Sequence, residues 1–354
     1  MTNGFILYFH TGSSSFVSKD IDILSKSGRV KVFSFYSDKK WKTPFLLIKQ
    51  KLFILRYLFS TKLYVAQFAG YHGFLPGLFA RLTGNNFLVV AGGTDCVSFP
   101  AIGYGNFNKT LLGLFTKLSF RLATHVSPKH QSLVEYNYQY DRNIPAHQGI
   151  KAFVNNYKTP TTVIANGYDE KKFFCSSDKK KNSFITVTGG LEFSFQQQLK
   201  GIDLILKVAA KFPDCEFTII GVPATLQLAI TSANVKTIPP TKNNELQKLY
   251  STHQFYLQLS MAEGFPNALS EAMLCECVPI VSDVFSMPEI IESSGFVLKE
   301  RNDNLLEELI KTAISTEAQQ LTAKGKLARG IISEKYSISR REKEFTQLVL
   351  ALTS

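Results

Sequence analysis

Short apolar runs rich in β-branched and aromatic residues recur along the chain, and most are separated by stretches long enough for a helix. In the first half they are FILYF (5–9), VKVFSF (30–35), LYVAQFA (63–69), FLVVA (87–91) and TTVIA (161–165). The second half has SFITVT (183–188), EFTII (216–220), VKTI (235–238), FYLQL (255–259), VPIVS (278–282) and GFVL (295–298). Strands alternating with helical segments predict βαβ units, and parallel strands need such crossovers. Two series of this kind predict an α/β fold made of two doubly wound parallel-sheet domains. The polar, lysine-rich stretch NGYDEKKFFCSSDKKKNSF (166–184) marks the boundary between them. The expected domains are 1–172 and 173–335, followed by a terminal helix over 336–354 that packs back toward the first. Ligands of open α/β sheets bind beyond the carboxyl ends of the strands. Two facing sheets would place the chemistry in a cleft between them.

Composition supports this picture and removes others. A length of 354 residues exceeds what one core organises, and 45% hydrophobic with 19% charged residues is an ordinary globular balance. Cys96, Cys175, Cys215, Cys275 and Cys277 are odd in number and lack metal-ligand spacing, so they read as reduced thiols of a cytoplasmic protein. The amino terminus MTNGFILYFHTG lacks the basic region of a signal peptide. Leu63 to Ala80 is about as long as a membrane span, but Gln67, Gly70, His72, Gly73, Pro76 and Gly77 interrupt it. Strand, turn and helix explain it better.

The net charge of +12 is unevenly placed. Residues 1–170 carry 19 Lys and Arg against 8 Asp and Glu, whereas residues 171–354 carry 21 against 20. The first half should therefore meet something anionic. Seven of its basic residues lie in KKWKTPFLLIKQKLFILRYLFSTK (39–62), interleaved with aromatic and aliphatic residues. Lys42, Lys49 and Arg56 recur every seven residues, which leaves them roughly on one face of a helix. Such a helix can lie on an anionic bilayer or simply cover a sheet with a solvated face. No recognition motif supports a nucleic-acid partner.

Candidate chemistry concentrates in MAEGFPNALSEAMLCECVPIVSD (261–283). Pro266 and Asn267 are helix-start residues, so a helix is expected over about 268–276 with Glu271 in or near its first turn and Glu263 on the preceding loop. Free N–H groups at that helix end suit a phosphate, Gly264 admits close approach, and carboxylates accept hydrogen bonds from hydroxyls. The pattern fits a sugar-bearing phosphate and equally fits helix-end electrostatics. In the first half, HTGSSS follows the first strand, and Gly12 with its serines can offer backbone N–H groups to a phosphate.

The segment EGFPNALSEAMLCECVPIVSDVFSMPEII resembles the Glu, seven residues, Glu signature of glycosyltransferase family 4. VIANGYDEKKF resembles the family's entry to its second domain, and ITVTGGLEFSFQQQLKGIDLILKVAAKFPDCEFTIIG its first strand, Lys-Gly turn, helix and second strand. YFHTGSSSFVSKDIDIL, AGGTD and LATHVS match more loosely. The resemblance implies a GT-B fold and retaining sugar transfer without a metal or other cofactor. It implies a nucleotide diphosphate sugar, UDP-linked, held mostly by the second domain, with the acceptor mostly on the first.

By the same resemblance Lys200 neutralises the departing diphosphate and Glu271 binds the ribose. Glu263, with the backbone of Gly264, Phe265 and Pro266 and beside Asn267, holds the donor sugar. Lys200 and Glu263 are the expected catalytic residues, Gly12 and Gly190 further donor contacts, and His10 and Asp95 candidates near the acceptor. Lys42, Lys49 and Arg56 are the membrane-contact candidates, for a glycan acceptor on a lipid carrier at the inner face of the cytoplasmic membrane. Two departures stand out. Gly190 occupies the place of a common arginine, and Gly92 that of a histidine in many members. A nucleotide-sugar epimerase and a binding-only protein with a degraded site are the alternatives.

Overall fold

A computed structural model describes residues 4–12, 15–37, 39–189, 191, 194–226, 228, 230 and 232–354. The chain forms two compact units, one of residues 1–137, 145–166 and 339–354, the other of 138–144 and 167–338. In the first unit the elements run β1 (Phe5–His10), α1 (Ser15–Ser27), β2 (Arg29–Ser34), α2 (Thr43–Tyr57), β3 (Thr61–Gln67), α3 (Tyr71–Thr83), β4 (Asn86–Val90), α4 (Thr110–Leu122) and β5 (His125–Val126). After them come the short β6 (Tyr136–Asn137), β7 (His147–Gln148) and α5 (Ile150–Phe153). The second unit has β8 (Lys180–Val187), α6 (Ser194–Leu199), α7 (Ile202–Ala209), β9 (Glu216–Ile220), β10 (Val235–Ile238), α8 (Asn243–Thr252) and β11 (His253–Gln258). It continues with α9 (Asn267–Leu274), β12 (Val278–Ser282), α10 (Met287–Ile291), β13 (Phe296–Leu298), α11 (Asp303–Ser315) and α12 (Ala318–Lys335); α13 (Ile338–Thr353) ends the chain.

Both main sheets are parallel throughout. The first has the order β2-β1-β3-β4-β5 and the second β10-β9-β8-β11-β12-β13. Each order reverses once, between β1 and β3 in the first unit and between β8 and β11 in the second. A ligand crevice opens where the order reverses, because the two flanking loops leave toward opposite faces. The loops after β1, β3, β8 and β11 are therefore where sites belong.

Ten of the eleven apolar runs form strands. The exception is TTVIA, which makes only one bridge, Val126 to Thr161, and otherwise runs irregularly. His125–Val126, inside LATHVS, is the strand in its place. The division of the chain after Asn166 has a local cause, since Tyr168 pairs with Ser337 and donates its N–H to Tyr336 O. That contact ties the NGYD passage to the end of the second unit.

Helix α13 buries Phe345, Leu348 and Val349 among Ile6, Tyr8, Leu24, Val65 and Leu88 of the first unit. Arg341, 3% exposed, donates from Nε (3.1 Å) and Nη2 (2.5 Å) to Oδ1 of the fully buried Asp20, and from Nη1 to Ala165 O (2.7 Å). Lys129 Nζ lies 3.6 Å from Asp20 Oδ2. Burial pushes the Asp20 carboxyl up, and the two cations more than offset it, leaving it below its ordinary value. Burial and Arg341 draw Lys129 down to about 7.

Helix α2 faces the opposite way from what its composition suggests. Its buried residues are Gln50, whose Nε2 donates to His72 O at 2.7 Å, and Ile54. Trp41, Phe45, Ile48, Leu52, Leu55 and Phe59, alternately four and three residues apart, are 43% to 100% exposed. Lys42, Lys49 and Arg56 follow one residue behind this stripe and border it. Contiguous exposed apolar surface of this kind marks a binding face. Among the described residues no helix is long and apolar enough to cross a membrane.

Candidate functional site

In the second unit the candidate site is built on the turn between α6 and α7, in the connection that follows β8, and on the loop after β11. The Lys-Gly turn closes α6, with Lys200 N–H bonded to Gln196 O at 2.9 Å. Gly201 has φ +68 and a Cβ there would overlap Leu259 O, so only glycine lets this turn pack against the end of β11. Met261 N–H donates to Leu199 O at 2.8 Å and fastens the two loops together. This brings Lys200 Nζ to 2.6 Å from Glu263 Oε1, with the side chains 27% and 15% exposed.

Glu263 is held before any ligand arrives. Its Oε1 also accepts from Ser260 Oγ (2.9 Å) and Gln258 Nε2 (3.2 Å). Gln258 is held in turn by the buried Tyr256 OH at 2.9 Å, and Ser282 Oγ on β12 donates to Ser260 O at 2.5 Å. Gln258 and Ser260 stand directly before the motif in FYLQLSMAEG, and this adjacency was their only signal in the sequence.

Helix α9 starts at Asn267 with Pro266 as its N-cap, so Glu271 is its fifth residue and lies beyond the first turn. That is near the first turn, as expected; the cap differs, because Pro266, with φ −74 and an extended ψ of 115, is the last residue outside the helix and Asn267 the first inside it. Asn267 does not cap either: its Oδ1 accepts from Tyr168 OH at 2.9 Å. Tyr168 also stacks on Phe265 at 6.2 Å, and Tyr336 meets that ring edge-to-face at 5.0 Å. The NGYD tyrosine thus positions the Gly264-Phe265-Pro266 turn. At the far end of α9, Lys179 Nζ donates to Cys275 O (2.5 Å) and Arg329 Nη1 to Leu274 O (2.6 Å), complementing the helix dipole. Gly190 lies outside the described residues.

In the first unit the loops after β1 and β3 enclose a cavity of about 410 Å³, lined by Thr11, Lys39, Phe68, Tyr71, Thr94 and Asn106 among others. Gly12 is exposed at its edge of the sheet, and its carbonyl lies 3.1 Å from Nδ1 of the buried His10. Burial lowers the His10 pKa. Asp95 has both oxygens engaged, Oδ2 by Ala69 N–H (2.9 Å) and Oδ1 by Gly92 and Gly93 N–H (3.1 and 3.0 Å). Fully buried, it holds three loop amides in place rather than offering a carboxylate to a ligand. Gly92 has a structural reason: a Cβ there would overlap the ring of Phe68, which itself sits at φ +66. A histidine at 92 and this phenylalanine exclude one another. A bulky residue held at positive φ beside a cavity is strain of the kind that collects at binding sites.

Two all-parallel sheets, each with a crevice at its switch point, define the class: the chain has the GT-B fold, two Rossmann-like domains. Residues 168–328 match the family described as glycosyl transferases group 1. Sucrose-phosphate synthase from Thermosynechococcus elongatus superposes with a TM-score of 0.75 at 14% identity, covering 99% of both chains. HepE from Anabaena in complex with UDP-glucose gives 0.73 at 15% identity over 98% of this chain and 99% of that one. A glycosyltransferase from Rickettsia africae gives 0.69 at 12% identity over 99% of each. No curated protein matches the sequence.

Proposed function

We propose that the protein is a retaining, metal-independent glycosyltransferase that moves a sugar from a nucleotide diphosphate sugar to a glycan acceptor. The observation that carries this reading is Lys200 held 2.6 Å from Glu263 on the loops that flank the second unit's switch point, inside the region matched by the glycosyl transferases group 1 family. Glu263 accepts hydrogen bonds from the donor sugar, Glu271 from the ribose, and the start of α9 faces phosphate. When the bond between the anomeric carbon and the diphosphate oxygen breaks, Lys200 turns from Glu263 to the charge developing on the leaving group. The departing phosphate takes the acceptor proton. Gly12, Gly190, Gly264, Phe265, Pro266 and Asn267 complete the donor contacts, and His10 stands on the acceptor side. A UDP-linked donor is chosen because a protein of the same fold, HepE, is in complex with UDP-glucose.

Incubation with UDP-, GDP-, ADP- and TDP-sugars tests the reading. Release of free UDP, with transfer or slow hydrolysis of the sugar, is expected for one UDP-sugar. Epimer formation, or binding with no release from any donor, would overturn it.

The acceptor in this reading is a lipid-linked glycan of surface polysaccharide or glycolipid assembly, met at the inner face of the cytoplasmic membrane. Support comes from the exposed apolar stripe of α2 and its border of Lys42, Lys49 and Arg56, since each cation near an anionic surface contributes about 1 kcal/mol. Replacing all three by glutamine should cut cosedimentation with phosphatidylglycerol vesicles about 100-fold, at about 3 kcal/mol for three charges. Equal sedimentation of variant and parent would remove the membrane from the reading.

A further inference from the structure

Three cavities of the first unit meet at the start of α2. Besides the polar one at the switch point, a cavity of about 670 Å³ runs between the beginnings of α2 and α4, walled by Trp41, Pro44, Leu47, Leu111, Leu112 and Phe115. It shares Thr43, Tyr71 and Leu112 with the polar cavity. A third, of about 570 Å³, holds Tyr36, Phe45 and Leu46 and shares Trp41 with the second and Ser37 and Leu46 with the first.

Polar side chains thin out along this path: Thr11, Thr94, Asp95 and Asn106 line the first cavity beside Phe35, Leu46 and Phe68, whereas the α2–α4 groove keeps only Thr43, Tyr71 and Lys109. A carbohydrate filling the first cavity would leave the α2–α4 groove as apolar wall facing water, whereas the first cavity presents Thr11 beside Thr94 and Asn106, which are themselves held by Tyr104 OH and by Ala69 O and Thr116 Oγ1. A ligand with a polar head and a hydrocarbon continuation matches both linings. Charge adds a third requirement. The linings include Lys39, Lys42, Lys49 and Lys109, and the only acid among them is Asp95, whose oxygens are engaged by backbone amides. Four lysines around the junction of head and tail suit an anionic link there.

We propose that the groove between α2 and α4 is a hydrocarbon subsite, holding the first carbons of a single-chain amphiphile whose sugar head occupies the polar cavity and whose link between the two is phosphate. The inference rests on the lipid-linked acceptor reading and deepens it. A membrane-bound enzyme needs only the outer stripe of α2. This groove instead selects the acceptor molecule itself, carbon chain included.

The protein supplies its own reporter, because Trp41 is its single tryptophan and lines both apolar cavities. Titrating the full chain with dodecyl phosphate below its micelle concentration should give a saturable blue shift of tryptophan emission, while inorganic phosphate should give none. Leu111→Asn, at a position 59% exposed and so without risk to folding, and Leu47→Asn should each weaken binding at least tenfold. Ile48→Ser and Leu52→Ser, on the outer stripe, should leave it within twofold. Absence of saturation, or equal weakening by the outer pair, would overturn the inference by showing adsorption to the exposed face. UDP-glucose hydrolysis measured on the same samples separates the two levels. Hydrolysis without the emission shift sinks the subsite alone, and the shift without turnover of any nucleotide sugar sinks the transferase reading.

Discussion

Lys200→Ala should lower turnover of the nucleotide sugar about 100- to 1,000-fold, or about 3 to 4 kcal/mol, the usual loss when one preorganised charge partner of a transition state is removed. Its effect should fall on kcat and on kcat/KM together, since the leaving group's charge develops only as the bond breaks. The fold should survive, for a specific reason. Removing the ammonium leaves Glu263 Oε1 still accepting from Ser260 Oγ and Gln258 Nε2, and the 15% exposure of its side chain leaves the carboxylate some access to water. Steady-state release of UDP together with a thermal melt checks both halves. Near-parental turnover would remove Lys200 from the site.

Arg341→Ala should destabilise the protein by about 3 to 5 kcal/mol, because it strips a fully buried carboxylate of the guanidinium that donates twice to its Oδ1. Lys129 replaces it only in part: its Nζ lies 3.6 Å from the other carboxylate oxygen, and burial, the largest cause of its lowered pKa, persists in the variant although the repulsion from Arg341 is gone. At about 2 to 4 °C per kcal/mol the first unit should melt roughly 10 °C lower. Asp20→Asn with Arg341→Met should recover most of the loss, since a neutral pair needs no compensation. A single-variant loss under about 1 kcal/mol would mean that α13 is held by Phe345, Leu348 and Val349 alone.

The strands could be read from the sequence because parallel strands buried on both faces are nearly continuous apolar runs. TTVIA misled because its β-branched residues suit extended backbone, yet β5 offers it a partner only two residues long. Sequence period placed Lys42, Lys49 and Arg56 on one face of α2 but left open whether its apolar residues meet a sheet or face outward, and it took the inward Gln50 and Ile54 to show that Phe45, Ile48 and Leu52 point out. Of the proposed donor contacts, Lys200, Glu263 and Glu271 each stand in a short motif that the sequence offers, and the structure brings Lys200 to Glu263, while Gln258, Ser260 and Tyr168 hold the motif residues and carry no pattern of their own. The polar cavity was out of reach. Phe68 and Tyr71 come from the β3–α3 connection and Thr94 and Asn106 from the β4–α4 connection, and only the strand order β2-β1-β3-β4-β5, which no local spacing encodes, brings those two connections to one crevice.

Tyr138–Ile144 belongs to the second unit although both its flanks belong to the first. Tyr140 O accepts from Arg301 N–H at 2.8 Å, and Tyr138 meets the ring of Phe285 at 6.2 Å. Neither half is therefore a cassette. A chimera joined at the single seam near residue 167 would separate Tyr138–Ile144 from its own unit and α13 from its own. An exchange that keeps both units whole needs the junctions near 138, 145, 167 and 339 to travel as a set.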